Sequence, residues 1–115
     1  MKPSDAKLRN VIRPEALKGH LDGLILAILS SGPVHGYALI EELRRRSGGS
    51  LDLPEGTVYP ALHRLEAQGV LRSSWSTDSG RRRRVYRLTR RGQGALAERR
   101  REWQTLVRAV EAVLA

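Results

Sequence analysis

Apolar residues recur every three or four positions through most of the chain before residue 70, a period that predicts amphipathic helices. The longest stripe predicts a helix from Leu17 to Leu29, which the Ser-Gly-Pro at 31–33 would end. The same spacing predicts a helix over 36–46 and another from the Pro-Glu pair at 54–55, or from Gly56, to a glycine cap at 69. A shorter amphipathic stretch, Ser4 to Arg13, precedes Pro14.

The second and third predicted helices differ in what they expose. Their inward faces carry apolar or aromatic residues: Tyr37, Ile40 and Leu43 in one, and Val58, Leu62 and Leu65 in the other. The opposite face of the third helix is polar, with Thr57, Tyr59, Pro60, His63, Arg64 and Gln68. That helix is therefore expected to present a polar face to solvent or to a partner.

After residue 69 the period changes from 3.6 to 2, which predicts strands over Val70–Ser76 and Arg84–Thr89. The residues between them, Thr-Asp-Ser-Gly at 77–80, are typical of a turn. Together they predict a β-hairpin in which Trp75 and Tyr86 pack into the core. Thr89 is a good N-cap for a last helix.

The last predicted helix, Arg90 to Leu114, would be about 37 Å long at 1.5 Å per residue, longer than so small a domain is wide. Its apolar seam comprises Leu96, Trp103, Leu106, Val107, Val110, Val113 and Leu114. Burying such side chains is worth about 1.5–3 kcal/mol each, so we expect a second copy of the chain to cover them. The seam predicts a homodimerisation helix.

These elements predict a mainly α fold with a two-stranded β-hairpin, a winged helix-turn-helix followed by a C-terminal dimerisation helix. We expect an N-terminal helical arm at 1–14, the DNA-binding domain at 15–89 and the dimerisation helix at 90–115. In this arrangement the third helix fits a major groove and the hairpin tip contacts the flanking backbone.

Positive charge is concentrated at the C-terminal end. The 115 residues carry a formal net charge of +9, of which +8 falls after residue 80, where the sequence has eleven Arg and three Glu. Seven of these Arg, from Arg81 to Arg91, lie in a stretch with no acidic residue. A solvated face usually mixes charges, so this run favours an external polyanion, with duplex DNA ahead of an anionic membrane surface.

Several classes of function are excluded by what the sequence lacks. It has no Cys, no nucleophile-elbow or zinc-protease motif, and its three His have no metal-ligand spacing, so we expect no enzyme, cofactor or metal. Gly92-Gln93-Gly94 formally begins a dinucleotide-binding pattern, but no second parallel strand follows. No apolar run suits a signal peptide or a membrane span, so a cytoplasmic protein without membrane contact is expected.

The string Gly56-Thr57-Val58-Tyr59-Pro60-Ala61-Leu62-His63-Arg64-Leu65-Glu66-Ala67-Gln68-Gly69 resembles the recognition helix of PadR-type transcriptional regulators. The resemblance extends to His35-Gly36-Tyr37 and to the Arg-Arg-Val-Tyr-Arg-Leu-Thr string at 83–89 with Gly92. The short C-terminal part is similar to the compact subgroup of that family.

The resemblance implies a set of DNA contacts and an effector site. The DNA contacts would be Thr57, Tyr59, Pro60, His63 and Arg64, the wing from Ser79 through Arg81 and Arg82 to Arg83, and backbone contacts from Tyr37 and His35. Trp103 would stack on a small, flat aromatic effector between two C-terminal helices, or else be a knob in the dimer seam. Tyr59 and His63 could contact bases or only phosphates, and Arg64 could contact a base or pair with Glu55 or Glu66.

We therefore expect a sequence-specific DNA-binding regulator, a repressor that acts as a homodimer on a pseudo-palindromic operator and is released by a small-molecule effector. Two alternatives stay open. One is a sequence-independent, nucleoid-type nucleic-acid binder driven by the Arg-rich wing. The other is a winged helix that binds a protein partner and no DNA.

Overall fold

The computed structural model describes residues 11–77 and 80–115, and within them the chain forms four α-helices and a small antiparallel sheet. The helices are α1 (Leu21–Leu29), α2 (Gly36–Arg46), α3 (Glu55–Ala67) and α4 (Arg90–Leu114). The strands are β1 (Val34–His35), β2 (Leu71–Ser76) and β3 (Arg83–Leu88). None of the helices in these ranges is long and apolar enough to cross a membrane.

The predicted helix from Leu17 to Leu29 is wrong at its start. Pro14–Leu17 instead forms a separate 3₁₀ helix, and α1 begins only at Leu21. Gly19 has φ +84°, a left-handed conformation that interrupts the helical path. Residues 1–10 of the predicted N-terminal arm lie outside the described residues. At 11–13 the chain is not helical, and the Ile12 N–H donates to the Ser50 carbonyl at 2.9 Å.

The predicted hairpin is confirmed, with small shifts at the strand ends. β2 and β3 pair antiparallel, with Leu71 opposite Leu88 and Ser76 opposite Arg83. The sheet order is β1-β3-β2, because β1 pairs with the outer side of β3. Sequence periodicity cannot reveal a strand of two residues, which explains why β1 was not predicted.

The core lies between the four helices and one face of the sheet. Its fully buried side chains include Ile25 and Leu26 of α1, Leu39 of α2, and Leu62 of α3. The inward residues predicted for α3 are all buried, and so are Ile40, Leu43 and Tyr86. Two packing predictions are wrong: Tyr37 is 55% exposed and Trp75 is 53% exposed. Trp75 shares the sheet face of buried Leu71, but it lies near the distal end of the hairpin, where the core no longer reaches.

The start of α4 is locked to the end of the hairpin. The Thr89 hydroxyl accepts from the Gly92 N–H at 3.0 Å and donates to the Gly69 carbonyl at 2.8 Å, so the predicted N-cap is confirmed. Leu96 is 4% exposed within its own chain. This burial removes Leu96 from the predicted dimerisation seam, because the residue already packs in the core.

Candidate nucleic-acid interface

The outer face of α3 is centred on Pro60 and His63, both exposed. Pro60 lies inside the helix and has no N–H, so the intrahelical bond to the carbonyl four residues earlier is absent. The helix continues to Ala67 because its inner face is fixed by Val58, Leu62 and Leu65 in the core. Pro60 and His63 are therefore both available to a partner on this face.

Tyr59 lies on the flank of α3 that faces the start of α2. A Cβ atom placed on Gly36 would come within 2.6 Å of the Tyr59 ring, so only glycine leaves room for the ring there. Burial, with a smaller contribution from the Glu55 carboxylate, raises the pKa of the Tyr59 phenol above its usual value. The hydroxyl therefore stays protonated at neutral pH and can donate a hydrogen bond to a phosphate or a base.

Thr57 and Arg64 lie on the opposite flank of α3, toward α1. The Arg64 guanidinium is ion-paired with the Asp22 carboxylate, and the other oxygen of Asp22 lies 3.7 Å from Nη2 of Arg99 on α4. Arg99 also donates to the Gly19 carbonyl at 2.9 Å. Of the two roles considered for Arg64, the structure shows an ion pair, but with Asp22 and not with Glu55 or Glu66.

His35 caps α2 and contacts the wing. Its Nδ1 accepts from the Ala38 N–H at 3.3 Å, and its Nε2 lies 3.0 Å from Nη1 of Arg83. The contact with Arg83 joins the start of α2 to the wing, and it leaves other N–H donors of the Arg83 guanidinium available to an anion.

The predicted wing residues Arg81, Arg82 and Arg83 are all exposed, whereas Ser79 lies outside the described residues. These arginines follow the turn between β2 and β3. A depression of about 360 Å³ brings the wing together with the helices, and it is lined by His35, Gly36, Tyr37, Tyr59, Arg81, Arg83 and Arg84. Predicted DNA contacts from three separate parts of the chain therefore meet on one basic surface.

Arg84 is anchored inside the hairpin and is not free at the wing. Its Nε donates to the Ser73 hydroxyl at 2.8 Å, and its Nη2 lies 4.0 Å from the Glu66 carboxylate. Glu66, near the end of α3, accepts from both the Ser73 N–H at 3.0 Å and the Ser73 hydroxyl at 2.5 Å. This network ties the wing to α3.

Trp103 borders a second, mostly apolar groove of about 560 Å³ between α1 and α4. Its indole meets the His20 ring edge to face, with ring centroids 5.2 Å apart and planes at 76°. The side chain is still 52% exposed. Arg99 and Arg100 also line this groove. Arg99 is the residue that contacts Asp22, so the groove borders the Asp22–Arg64 pair.

Beyond Trp103, α4 exposes most of its apolar seam. Leu106, Val110, Val113 and Leu114 are between 41% and 83% exposed, and Val107 is partly buried. In an ideal helix these residues lie on the same stripe as Leu96. This stripe thus packs into the core at its start, whereas further on the described residues leave most of it exposed.

Sequence reasoning missed three sets of contacts: Asp22 with Arg64, Trp75 with Arg82, and Glu66 with Ser73 and Arg84. Trp75 was assigned to the core, and the exposed position beside the wing arginines carried no local signal. Asp22 and its partner Arg64 are 42 positions apart, so no helical spacing links them. Among the described residues, no cluster of His, Cys, Asp or Glu could hold a metal ion.

Comparison with known proteins agrees with this geometry. Residues 25–98 match the sequence model of the transcriptional regulator PadR-like family. A transcriptional regulator of Mycobacterium tuberculosis, Rv3488, is 45% identical over 86 residues, which cover 75% of this chain and 78% of that protein. An uncharacterized protein of Lysinibacillus sphaericus is 32% identical over 94 residues, covering 81% and 86%.

Two solved structures are similar along most of the chain. A transcriptional regulator from Clostridium thermocellum superposes with a TM-score of 0.83 at 27% identity, covering 91% of this chain and all of that one. A PadR family transcriptional regulator from Eggerthella lenta gives a TM-score of 0.76 at 34% identity, covering 87% and 86%. The family resemblance predicted from the motifs is confirmed.

Proposed function

Because this chain belongs to the PadR-like family of transcriptional regulators, and so is a DNA-binding regulator and not an enzyme, we propose that it represses transcription as a homodimer bound to a pseudo-palindromic operator. The observation that carries the proposal is the basic depression in which Tyr59 of α3, His35 at the start of α2 and the wing arginines meet. The compartment is the cytoplasm, which holds the chromosome in the bacteria of the relatives named above.

In the proposed complex, α3 lies in the major groove with His63 at its centre. The groove is about 12 Å wide, which admits one helix, and base edges there offer acceptors and donors to an imidazole. Pro60 contributes apolar contact, and Tyr59 and Thr57 flank the helix on either side. His63 and Tyr59 thus supply base preference, whereas Arg64 is held by Asp22 and serves mainly to orient α3.

Phosphate contacts come from the wing and from the start of α2. Arg81 and Arg83 are exposed beside His35, and Tyr37 is 55% exposed on the same surface. The Arg83 guanidinium contacts His35 Nε2 at 3.0 Å through one nitrogen, and its other N–H groups would donate to a phosphate oxygen beside this pair. Such contacts position the protein on the duplex without selecting its sequence.

The homodimer is supported by the part of the seam on α4 that the described residues leave largely exposed, residues 103, 106, 110, 113 and 114, with the partly buried Val107 among them. A second copy of the chain supplies the same apolar stripe, and a twofold axis would place two α3 helices against two half-sites. Leu96 takes no part in this interface, because it is already buried.

Release by a small aromatic effector is the remaining part of the proposal. The groove beside Trp103 has an exposed indole face, and its wall includes Arg99, which contacts Asp22. Asp22 also holds Arg64 on α3. A ligand that displaced Arg99 would therefore alter the support of α3. The free energy of coupling between ligand and DNA would equal the difference between the ligand's binding free energies for the free and the DNA-bound protein.

Selection of bound duplexes from a random library, at near-physiological salt, tests the proposal. The expected result is a twofold-symmetric motif with half-sites about one helical turn apart. Recovery of no motif, with binding that disappears as salt rises, would instead identify a nucleoid-type binder whose Arg-rich wing grips any duplex. An absence of binding to any duplex would favour the protein-interaction alternative.

A further inference from the structure

Trp75 is a large exposed aromatic side chain that lies among the arginines of the wing. The guanidinium carbon of Arg82 is 4.4 Å from the centroid of the Trp75 ring, and that of Arg84 is 5.3 Å away. Both distances are within the range of cation–π attraction, which is strongest for an indole. The indole thus has two cations over it although about half of its surface is open to solvent.

The two arginines are held in different ways. Arg84 is fixed by the Ser73 hydroxyl and lies near the Glu66 carboxylate, so its guanidinium is already engaged inside the hairpin. Among the described residues, the contact shown for the Arg82 side chain is its stacking on Trp75. A guanidinium stacked by its face keeps the N–H donors along its edge available. Arg82 therefore presents donors outward from a defined position.

We infer that Trp75 is a positioning residue of the DNA interface, which holds Arg82 in the orientation that contacts a duplex phosphate. The inference rests on the proposed function, because it assigns Trp75 a task within the DNA contact of the wing. An unrestrained arginine loses rotamer freedom when it binds phosphate, and stacking on the indole removes part of that loss beforehand.

The support of Trp75 extends back to α3. Trp75 is the cross-strand partner of Arg84, and Arg84 connects through Ser73 to Glu66 near the end of α3. This chain of contacts therefore links the helix proposed to enter the major groove to the wing arginine on the indole. The geometry points to a fixed spacing between the base contacts of α3 and the phosphate contact of Arg82.

A double-mutant cycle on a short duplex of arbitrary sequence tests the inference without knowledge of the operator. Trp75→Leu is expected to weaken binding about three- to tenfold in the natural chain. In an Arg82→Gln background the same substitution should cost less than about twofold, because the guanidinium that Trp75 is inferred to orient is gone and Arg84 is held separately by Ser73. Trp75→Tyr, which keeps an aromatic face, should restore most of the affinity.

Arg87→Gln is the matched control, because it removes an exposed arginine of β3 that pairs with Arg72, three residues along the ladder from the Trp75–Arg84 pair. In that background Trp75→Leu should keep its full effect. An equal loss in the Arg82→Gln and Arg87→Gln backgrounds, or a Tyr variant as weak as the Leu variant, would overturn the inference. If the natural chain bound no duplex, the proposed function itself would fail, whereas duplex binding with an additive cycle refutes only the role of Trp75.

A spectroscopic measurement covers the case in which a Trp75 variant does not fold. With Trp103→Phe, Trp75 is the sole indole of the chain. Arg82→Gln should then increase acrylamide quenching of its fluorescence, because one ring face is uncovered, whereas Arg87→Gln should leave quenching unchanged. Unchanged quenching with Arg82→Gln would mean that the stack does not form in solution, and the inference would be wrong.

Discussion

Arg64 on α3 is ion-paired with Asp22 on α1, and the same carboxylate lies 3.7 Å from Arg99 on α4. One acidic side chain thus connects the helix proposed to enter the major groove with the helix proposed to form the dimer. The Asp22 side chain is 16% exposed, so it is partly withdrawn from water and lies between two arginine side chains.

Asp22→Asn should lower the free energy of unfolding by about 1–2 kcal/mol, because two arginines lose their counter-charge in a partly buried position. Urea denaturation measures this loss. Asp52→Asn is the control: it removes the partner of Arg44 from a pair whose side chains are 51% and 56% exposed, and should cost under about 0.5 kcal/mol. Equal effects of the two substitutions would show that Asp22 is not a junction between helices.

His63 and Arg64 are neighbours on α3 with different surroundings, so their substitutions should separate base contact from support. His63→Ala should cost about 1–3 kcal/mol on the selected operator, relax base preference in each half-site and leave thermal stability unchanged. Arg64→Ala should lower stability and weaken all duplexes to a similar extent. Competition binding with operator variants, together with thermal melts, distinguishes these outcomes. A relaxed base preference with Arg64→Ala would show that Arg64 contacts a base.

Local sequence signals were sufficient for most of the fold. The stripe of α3, the alternation in the hairpin and the hydroxyl of Thr89 each act within a few residues, so α3, the strand pair and the helix cap were all predictable. The start of α1 was not predictable, because the apolar stripe continues past Gly19 and gives no sign of its left-handed conformation. Tyr37 and Trp75 lie at positions that the periodicity assigns to the buried face. Both are exposed, because the core does not extend as far as either side chain.

The candidate site was predictable as a set of residues, but not in its internal partners. The motif resemblance indicated His35, Tyr59 and the wing arginines, which the structure brings onto one surface. The Asp22–Arg64 pair and the stacking of Arg82 on Trp75 join positions whose proximity is a product of tertiary packing. The motif resemblance and the run of arginines therefore identified the basic surface, whereas the residues that support its arginines are set by tertiary packing.

Gly92 explains why a glycine pattern occurs at the start of α4 without a dinucleotide site. A Cβ atom at position 92 would lie 2.1 Å from the Val70 carbonyl oxygen and 2.6 Å from Leu88, so the helix can approach the sheet only with glycine there. Gly92→Ala should cost about 3 kcal/mol or more, because the obstacle includes backbone. Thermal or urea denaturation of the variant measures this cost.

Gly94→Ala is the matched control in the same helix turn. Its Cβ would meet nothing within 4 Å, and alanine favours a helix interior, so the variant should gain about 0.5–1 kcal/mol. A stable Gly92→Ala variant would contradict the close approach of α4 to the end of the hairpin. A loss with Gly94→Ala would place an unseen contact on the outer face of α4.

The uncovered seam on α4 leads to the last prediction. Val110 is 44% exposed at the middle of the stripe formed by residues 103–114, and a charge placed there would have to be buried if two such stripes meet. Val110→Glu should therefore dissociate the dimer at micromolar concentration, as measured by sedimentation equilibrium, and should weaken operator binding because the two half-sites would no longer be bound together. Ala112→Glu places the same charge on the same helix about 160° away from Val110, and it should leave the dimer intact. A Val110→Glu variant that remained dimeric would show that the subunits meet on another surface, and the stripe on α4 would then need a different partner.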